Sequence, residues 1–166
     1  MITTPVQCQV PAGFTPVDLA AGPDERAAAV RATLPATAPG VEDLVARNEA
    51  FAQQLLASRA WYGAVFVLPP RRPAYFTITE PDVPPDLAAL TALPGGVREI
   101  DLPCGPALTC TRQARADGVA IVEEYAFAVH PAGRMIVFTL GVQDDERRPE
   151  DAHLFAEILS TVSFPA

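Results

Sequence analysis

The segment from Ala107 to Val142 constrains the fold most strongly, because two turn signals divide it into three apolar, β-rich runs. Asp117-Gly118 is typical of the two-residue turn of a β-hairpin. Pro131-Ala132-Gly133 marks a second turn, in which the glycine can adopt a positive φ. The segment therefore predicts three consecutive antiparallel strands.

The two turns also predict the register of these strands. If Ala116 lies opposite Val119 in the first hairpin, three further pairs follow: Leu108–Phe127, Cys110–Tyr125 and Arg112–Glu123. If Pro131 lies opposite Arg134 in the second hairpin, the pairs are Phe127–Phe138, Tyr125–Leu140 and Val129–Ile136. Both registers place the large apolar side chains on one face, as a half-buried sheet requires.

Turn residues and apolar periodicity divide the rest of the chain into short strands and helices. Further strands are predicted at Val6–Val10, Gly13–Leu19, Trp61–Leu68, Ala74–Thr79 and Val97–Leu102. Helices are predicted at Asp24–Leu34, from Val41 to about Arg59, at Asp86–Leu93, and from Pro149 onward with the apolar stripe Ala152, Phe155, Ile158, Leu159 and Val162. Because strands and helices do not alternate as βαβ units, the pattern favours a single α+β domain over residues 1–166, an antiparallel sheet with helices packed on it.

Charge and composition exclude several classes of partner. The net charge of −8 argues against nucleic-acid binding, which needs a basic footprint, and against adhesion to an anionic membrane surface. All twelve basic residues are arginines. No apolar run approaches the length of a membrane span, and the first residues lack the basic and apolar regions of a signal peptide. The expectation is a soluble cytoplasmic protein.

The sequence shows no catalytic or cofactor motif. It contains no GxGxxG, no GxxxxGK[ST] and no GxSxG, so no cofactor is expected. Cys8, Cys104 and Cys110 fit neither a disulfide framework nor a zinc site and are expected to be reduced thiols. His130 lies at the predicted hairpin tip and His153 on the polar side of the last helix, where neither has a nucleophile nearby. No catalytic residue and no metal ligand is predicted.

A small set of charged residues could form a binding patch. Arg112 and Glu123 form either a plain cross-strand ion pair or part of a recognition surface. The loop pairs Arg71-Arg72 and Arg147-Arg148 could bind a phosphate or an acidic partner, but solvated turns are the favoured interpretation.

The last strand of the predicted meander is apolar on both faces, with Met135 and Val137 on one and Ile136 and Phe138 on the other. A solvated outer face would be more polar, so something must cover Met135 and Val137. The three candidates are a helix of this chain, a second copy and a foreign partner. We expect the Val41–Arg59 helix to cover them. If they prove exposed, they are the leading interface residues.

Three segments resemble the PsbP-like family of small bacterial proteins. They are the opening Val10-Pro11-Ala12-Gly13-Phe14, the strand Met135–Leu140, and the closing helix with Phe155, Ile158, Leu159 and Val162. The resemblance implies an antiparallel sheet between helices and roles that are largely non-enzymatic, as accessory subunits, adaptors and binders of other proteins. It implies no active site.

The sequence therefore predicts a non-catalytic, protein-binding accessory or adaptor protein of the bacterial cytoplasm. Its partner would be another protein or a second copy of this chain, bound through residues among Met135, Val137, Arg112, Glu123, Arg71 and Arg72. The alternative is a small-molecule binding protein or enzyme with a pocket between sheet and helices, lined by Tyr125, Cys110 and Cys104.

Overall fold

The computed structural model describes residues 6–33, 35, 38–69 and 71–165. These residues form an α+β fold, in which one seven-stranded antiparallel sheet carries helices on both faces. The strands are β1 (Thr15–Pro16), β2 (Ala60–Leu68), β3 (Arg72–Thr79), β4 (Arg98–Leu102), β5 (Gly105–Ala116), β6 (Val119–Val129) and β7 (Met135–Gln143). The helices are α1 (Pro23–Ala32), α2 (Val41–Ala57), α3 (Leu87–Thr91) and α4 (Pro149–Leu159). The strand order across the sheet is β1-β2-β3-β7-β6-β5-β4.

The first hairpin of the meander has the predicted register. Ala116 pairs with Val119 across Asp117-Gly118, and the pairs Leu108–Phe127, Cys110–Tyr125 and Arg112–Glu123 all form. Both turn residues have positive φ, 51° at Asp117 and 81° at Gly118, which is the backbone of a type I′ turn.

The predicted register of the second hairpin is wrong by one residue. Val129 pairs with Met135 and Phe127 with Val137, so Phe127 and Phe138 lie on opposite faces of the sheet. The reason is the turn: the His130 N–H donates to the Arg134 carbonyl, which leaves three loop residues instead of two. Gly133 takes a φ of 78°, as in the common three-residue hairpin loop.

The main core lies between α4 and one face of the sheet. α4 contributes Phe155, Ile158 and Leu159, and Val162 follows just after the helix. The sheet contributes alternate side chains from its central strands, including Phe76, Ile78, Ile136, Phe138 and Leu140. Residues 6–10 lie beside α4, through an isolated bridge between Gln7 and Ser163, and do not form the predicted strand. We call this side of the sheet the α4 face.

The opposite face has two separate covers. The first is α2, whose Leu55 and Ala52 pack with Val17. The second consists of Leu90, Leu93 and Val97, from α3 and the loop after it, which pack against Cys110, Phe127 and Val137. The expectation that α2 covers Met135 and Val137 is therefore wrong. The connection from α2 to β2 consists of Ser58 and Arg59 alone. Because this connection is so short, α2 stays near β2 and away from β7.

Most predicted elements are present with shifted ends. The predicted strand Gly13–Leu19 reduces to two paired residues, because Pro16 cannot donate to a ladder. The predicted helix at Asp86–Leu93 shortens to Leu87–Thr91, with the Asp86 carboxylate accepting from the Ala88 N–H at its start. The predicted end of the first helix, Leu34, lies outside the described residues. None of the described helices is long and apolar enough to span a membrane.

Candidate functional site

The outer strand pair of the sheet leaves half of β5 uncovered. β4 pairs with β5 only from Arg98–Thr109 to Leu102–Gly105, whereas β5 continues to Ala116. β4 begins late because Gly96 and Gly95, two and three residues before Arg98, have φ values of 62° and 92° and turn the chain away. Residues 111–115 of β5 thus form the open edge of the sheet.

The direction of the backbone hydrogen bonds along the open edge follows from the two turns that flank β5. In an antiparallel pair joined by a two-residue turn, the two residues that close the turn form backbone hydrogen bonds to each other. Every second residue along each strand then directs its N–H and C=O groups toward the same partner strand. Leu102 and Gly105 close the β4–β5 turn, so odd-numbered residues of β5 face β4. Thr111, Gln113 and Arg115 therefore direct their N–H and C=O groups outward, and no strand among the described residues pairs with them there.

A groove of about 480 Å³ runs beside the open edge. One wall is the loop Leu93–Gly96 together with Arg98, and the other is the β5 segment Thr109–Gln113. Glu124 and Arg147 line it from the neighbouring strand and loop. The groove therefore presents strand backbone, two threonine hydroxyls and three arginines in one place.

The three arginines make the groove basic in a protein whose net charge is −8. Arg112 donates through Nε and Nη2 to Glu123, at 2.9 and 2.6 Å. Arg147 donates through Nε and Nη2 to Glu124, the second of these bonds at 3.2 Å. Arg98 is exposed, and none of the described carboxylates forms an ion pair with it. Each guanidinium thus retains donors that face solvent.

A partly buried hydrogen-bond network holds Arg112 in place. Tyr75, Gly141, Glu123 and Arg112 form one row across four adjacent strands. The Tyr75 hydroxyl donates to Glu123 Oε1, and the Tyr125 hydroxyl donates to Oε2 at 2.7 Å. Glycine is required in this row, because a Cβ on Gly141 would lie 2.1 Å from the ring carbon Cζ of Tyr75.

The network keeps Glu123 charged. Burial alone raises the pKa of this carboxyl, but the hydrogen bonds from Tyr75, Tyr125 and Arg112 outweigh burial and lower the pKa below its usual value. Burial and the neighbouring carboxylate raise the pKa of both tyrosines, which therefore remain protonated donors. The predicted Arg112–Glu123 contact is thus more than a marginal ion pair, because it fixes the edge arginine to the interior.

The pocket predicted from Tyr125, Cys110 and Cys104 does not form. Cys110 lies beside Tyr125 on the face opposite α4, whereas Cys104 packs with the core on the α4 face. Cys104 lies in the turn before β5, so the alternation of side chains along β5 that places Cys110 does not apply to it. All three cysteines are free, and burial raises the pKa of each thiol.

The predicted interface residues divide between surface and interior. Val137 is buried and Met135 half-buried, whereas Arg71 and Arg112 are exposed. The predicted solvated turn Arg71-Arg72 is wrong for Arg72, which is buried and paired with Asp151 at 2.6 Å and Asp144 at 3.1 Å. These acids come from α4 and the loop before it, and they compensate the buried charge.

The histidines lie apart from the groove. His130 is in the β6–β7 turn, where its Nδ1 accepts from the Ala132 N–H at 3.0 Å and its ring contacts Phe164. His153 is exposed on α4. The described residues contain no group of histidine, cysteine and carboxylate side chains that could hold a metal ion.

Sequence reasoning missed Arg98 and Tyr75 as site residues and treated Arg147 only as part of a loop pair. The available signal was a difference in length. The run before Pro103 is short, whereas the run between Gly105 and Asp117 is about twice as long, so one strand had to extend past the other.

Comparison with known proteins adds little to this geometry. No protein-family model and no curated protein sequence matches the chain. A solved structure of LpqN, described as involved in cell envelope biogenesis of Mycobacterium tuberculosis, is similar over 96% of this chain and 83% of that chain, with 14% sequence identity and a TM-score of 0.45. A likeness of this size assigns no family or activity, and membership of the PsbP-like family stays a prediction.

Proposed function

We propose that the protein is a non-catalytic binding module that captures an extended segment of another protein at the open edge. The observation that carries this proposal is the uncovered stretch of β5 at residues 111–115, flanked by a groove of about 480 Å³. An exposed strand edge is a template for a further strand, in which backbone hydrogen bonds provide affinity and side-chain pockets provide specificity.

The wider biological role that we propose is that of an accessory or adaptor protein in the bacterial cytoplasm. The resemblance to PsbP-like proteins, whose known roles are largely of this kind, supports it. The three unpaired thiols support a reducing compartment.

A small anionic molecule is the second candidate ligand. The groove volume of about 480 Å³ falls in the range of small-molecule sites, roughly 300–1,000 Å³. Strand addition is favoured because the outward backbone groups of Thr111, Gln113 and Arg115 repeat at the spacing of a strand, which a small molecule would leave largely unused.

The test is selection of nine-residue peptides from a displayed library, followed by amide hydrogen exchange on the complex. Bound peptides should protect the amides of Thr111, Gln113 and Arg115 above the other exposed amides of the sheet. Gln113→Pro removes one outward N–H and should weaken binding about tenfold, whereas the matched variant Gln113→Ala, which keeps it, should bind within about twofold of the wild type.

Two results would contradict strand addition. One is peptides that bind without protecting these amides. The other is equal affinity of the Gln113→Pro and Gln113→Ala proteins, both shown to be folded by circular dichroism. Protection by small carboxylates or phosphates alone, with no peptide selected, would favour the second candidate.

A further inference from the structure

The two faces of the open edge carry different arginines. Thr111 lies on the α4 face, where its hydroxyl donates to Glu124 at 3.0 Å. Arg98 lies on the same face, because it pairs with Thr109, two residues before Thr111 along β5. Arg147 reaches this face through its bond to Glu124. Arg112 points to the other face, where it bonds to Glu123.

An added strand would continue the line of β4 beyond Arg98. The residue of that strand opposite Thr111 would occupy the position two places beyond Arg98, about 7 Å away along the strand line and on the same face. Its side chain would therefore point between Arg98 and Arg147, within reach of both long side chains.

The charges at this position are unbalanced. Glu124 is buried and already accepts bonds from Arg147 and Thr111. Arg98 forms no ion pair within the described part of the chain, and the bonds of Arg147 use only Nε and Nη2. A guanidinium with unused donors favours a carboxylate, which accepts charge-assisted hydrogen bonds.

We propose that the open edge selects an extended segment of a foreign protein that carries an acidic side chain opposite Thr111, where Arg98 and Arg147 bind its carboxylate. This inference rests on the proposed strand addition. It adds a rule of specificity, one acidic residue at a defined place in the added strand.

A second copy of the chain fits this edge poorly. In an antiparallel pair of open edges centred on Gln113, the Arg112 side chains of both copies are diagonal neighbours on one face. Arg115 of each copy lies opposite Thr111 of the other, so the place of the acidic side chain would hold a third positive charge. Like charges across a strand pair are destabilising, so the edge favours an acidic foreign strand over its own copy.

The experiment compares three proteins as targets for one displayed peptide library. In this library, fixed, alternating threonine and valine residues flank the randomised positions. The targets are the wild type, Arg98→Gln, and the matched control Arg47→Gln. Arg47 is an exposed arginine of α2 that does not line the groove, and its variant makes the same change in net charge. Acidic residues should be enriched at one position with the wild type and Arg47→Gln, and less strongly with Arg98→Gln.

A synthetic peptide from the selection then gives the size of the effect. Replacing its selected Glu by Gln should weaken binding to the wild type about tenfold at low salt and less at high salt. With Arg98→Gln the same replacement should weaken binding less than it does with the wild type, because Arg98 is one of the two arginines that bind the carboxylate.

The possible failures are distinguishable. If no peptide protects the edge amides in any target, strand addition itself fails. If peptides bind at the edge but the Glu and Gln forms have equal affinity, strand addition stands and the acidic rule is overturned. If light scattering shows a dimer that Gln113→Pro abolishes, the edge belongs to a second copy and the inference is wrong.

Discussion

Gly141→Ala tests the row of side chains that fixes Arg112. In a strand interior, alanine normally stabilises relative to glycine, by roughly 0.5–1 kcal/mol. Here the added Cβ would lie 2.1 Å from Cζ and 2.5 Å from the hydroxyl oxygen of Tyr75. The ring must move, which breaks its bond to the Glu123 carboxylate, worth about 1.5–3 kcal/mol. We therefore expect a net loss of about 1–2 kcal/mol in the free energy of unfolding, opposite in sign to the usual effect of this substitution.

The measurement is urea unfolding of four proteins, the wild type, Gly141→Ala, Tyr75→Ala and the double variant. Once the Tyr75 ring is removed, the added methyl has space, so Gly141→Ala should cost nothing in the Tyr75→Ala background or even stabilise it. If the effects of the two substitutions were additive, or if Gly141→Ala alone were stabilising, the steric argument would be refuted.

Three further predictions concern the core, the thiols and pH. Phe138 is fully buried, so Phe138→Ala should cost about 3–5 kcal/mol in urea unfolding, and a loss below about 1 kcal/mol would contradict its place in the core. Thiol titration should modify Cys110 last, because Cys110 is buried whereas Cys8 and Cys104 are half-buried. Cys110→Ser is the control that identifies its signal, and fast labelling at Cys110 would contradict the prediction by indicating an accessible thiolate. Burial raises the pKa of the Asp144 carboxyl, but bonds that include those from the Glu146 N–H and Arg148 outweigh burial and lower this pKa to about 2. The stabilising effect of the Asp144 carboxylate is therefore present above about pH 4 and is lost as the pH falls toward 2. Acid unfolding should therefore show a smaller loss of stability between these pH values in Asp144→Asn, and an identical loss would refute this linkage.

Local turn chemistry explains which parts of the fold could be predicted from sequence. Asp117-Gly118 admits one common hairpin geometry, so every pair of β5 and β6 followed from it. Pro131-Ala132-Gly133 admits both a two-residue and a three-residue loop, and nothing local distinguishes them. The one-residue error moved the side chains of β7 to the wrong faces, since a strand alternates with a period of two.

The buried charges could not be predicted for a different reason. Arg72 meets Asp144 and Asp151, which lie 72 and 79 residues away in sequence, so its burial depends on pairing between distant parts of the chain. The Arg112–Glu123 pair could be predicted because a single hairpin contains both residues. The Tyr75 bond to Glu123 could not, since it spans three strands of the sheet.

The strand order has a consequence for how the chain folds. β4 to β7 form one meander of sequence neighbours, β2 and β3 form a hairpin, and only the β3–β7 pairing joins the two units within the sheet. Local contacts form quickly, whereas closing a long loop is slow, so the meander can assemble before this seam. During that interval β7, apolar on both faces, is an unprotected edge strand at the side of a partly formed sheet. When the protein refolds at high protein concentration, we therefore expect intermolecular strand pairing at β7, which is the central strand of the native sheet.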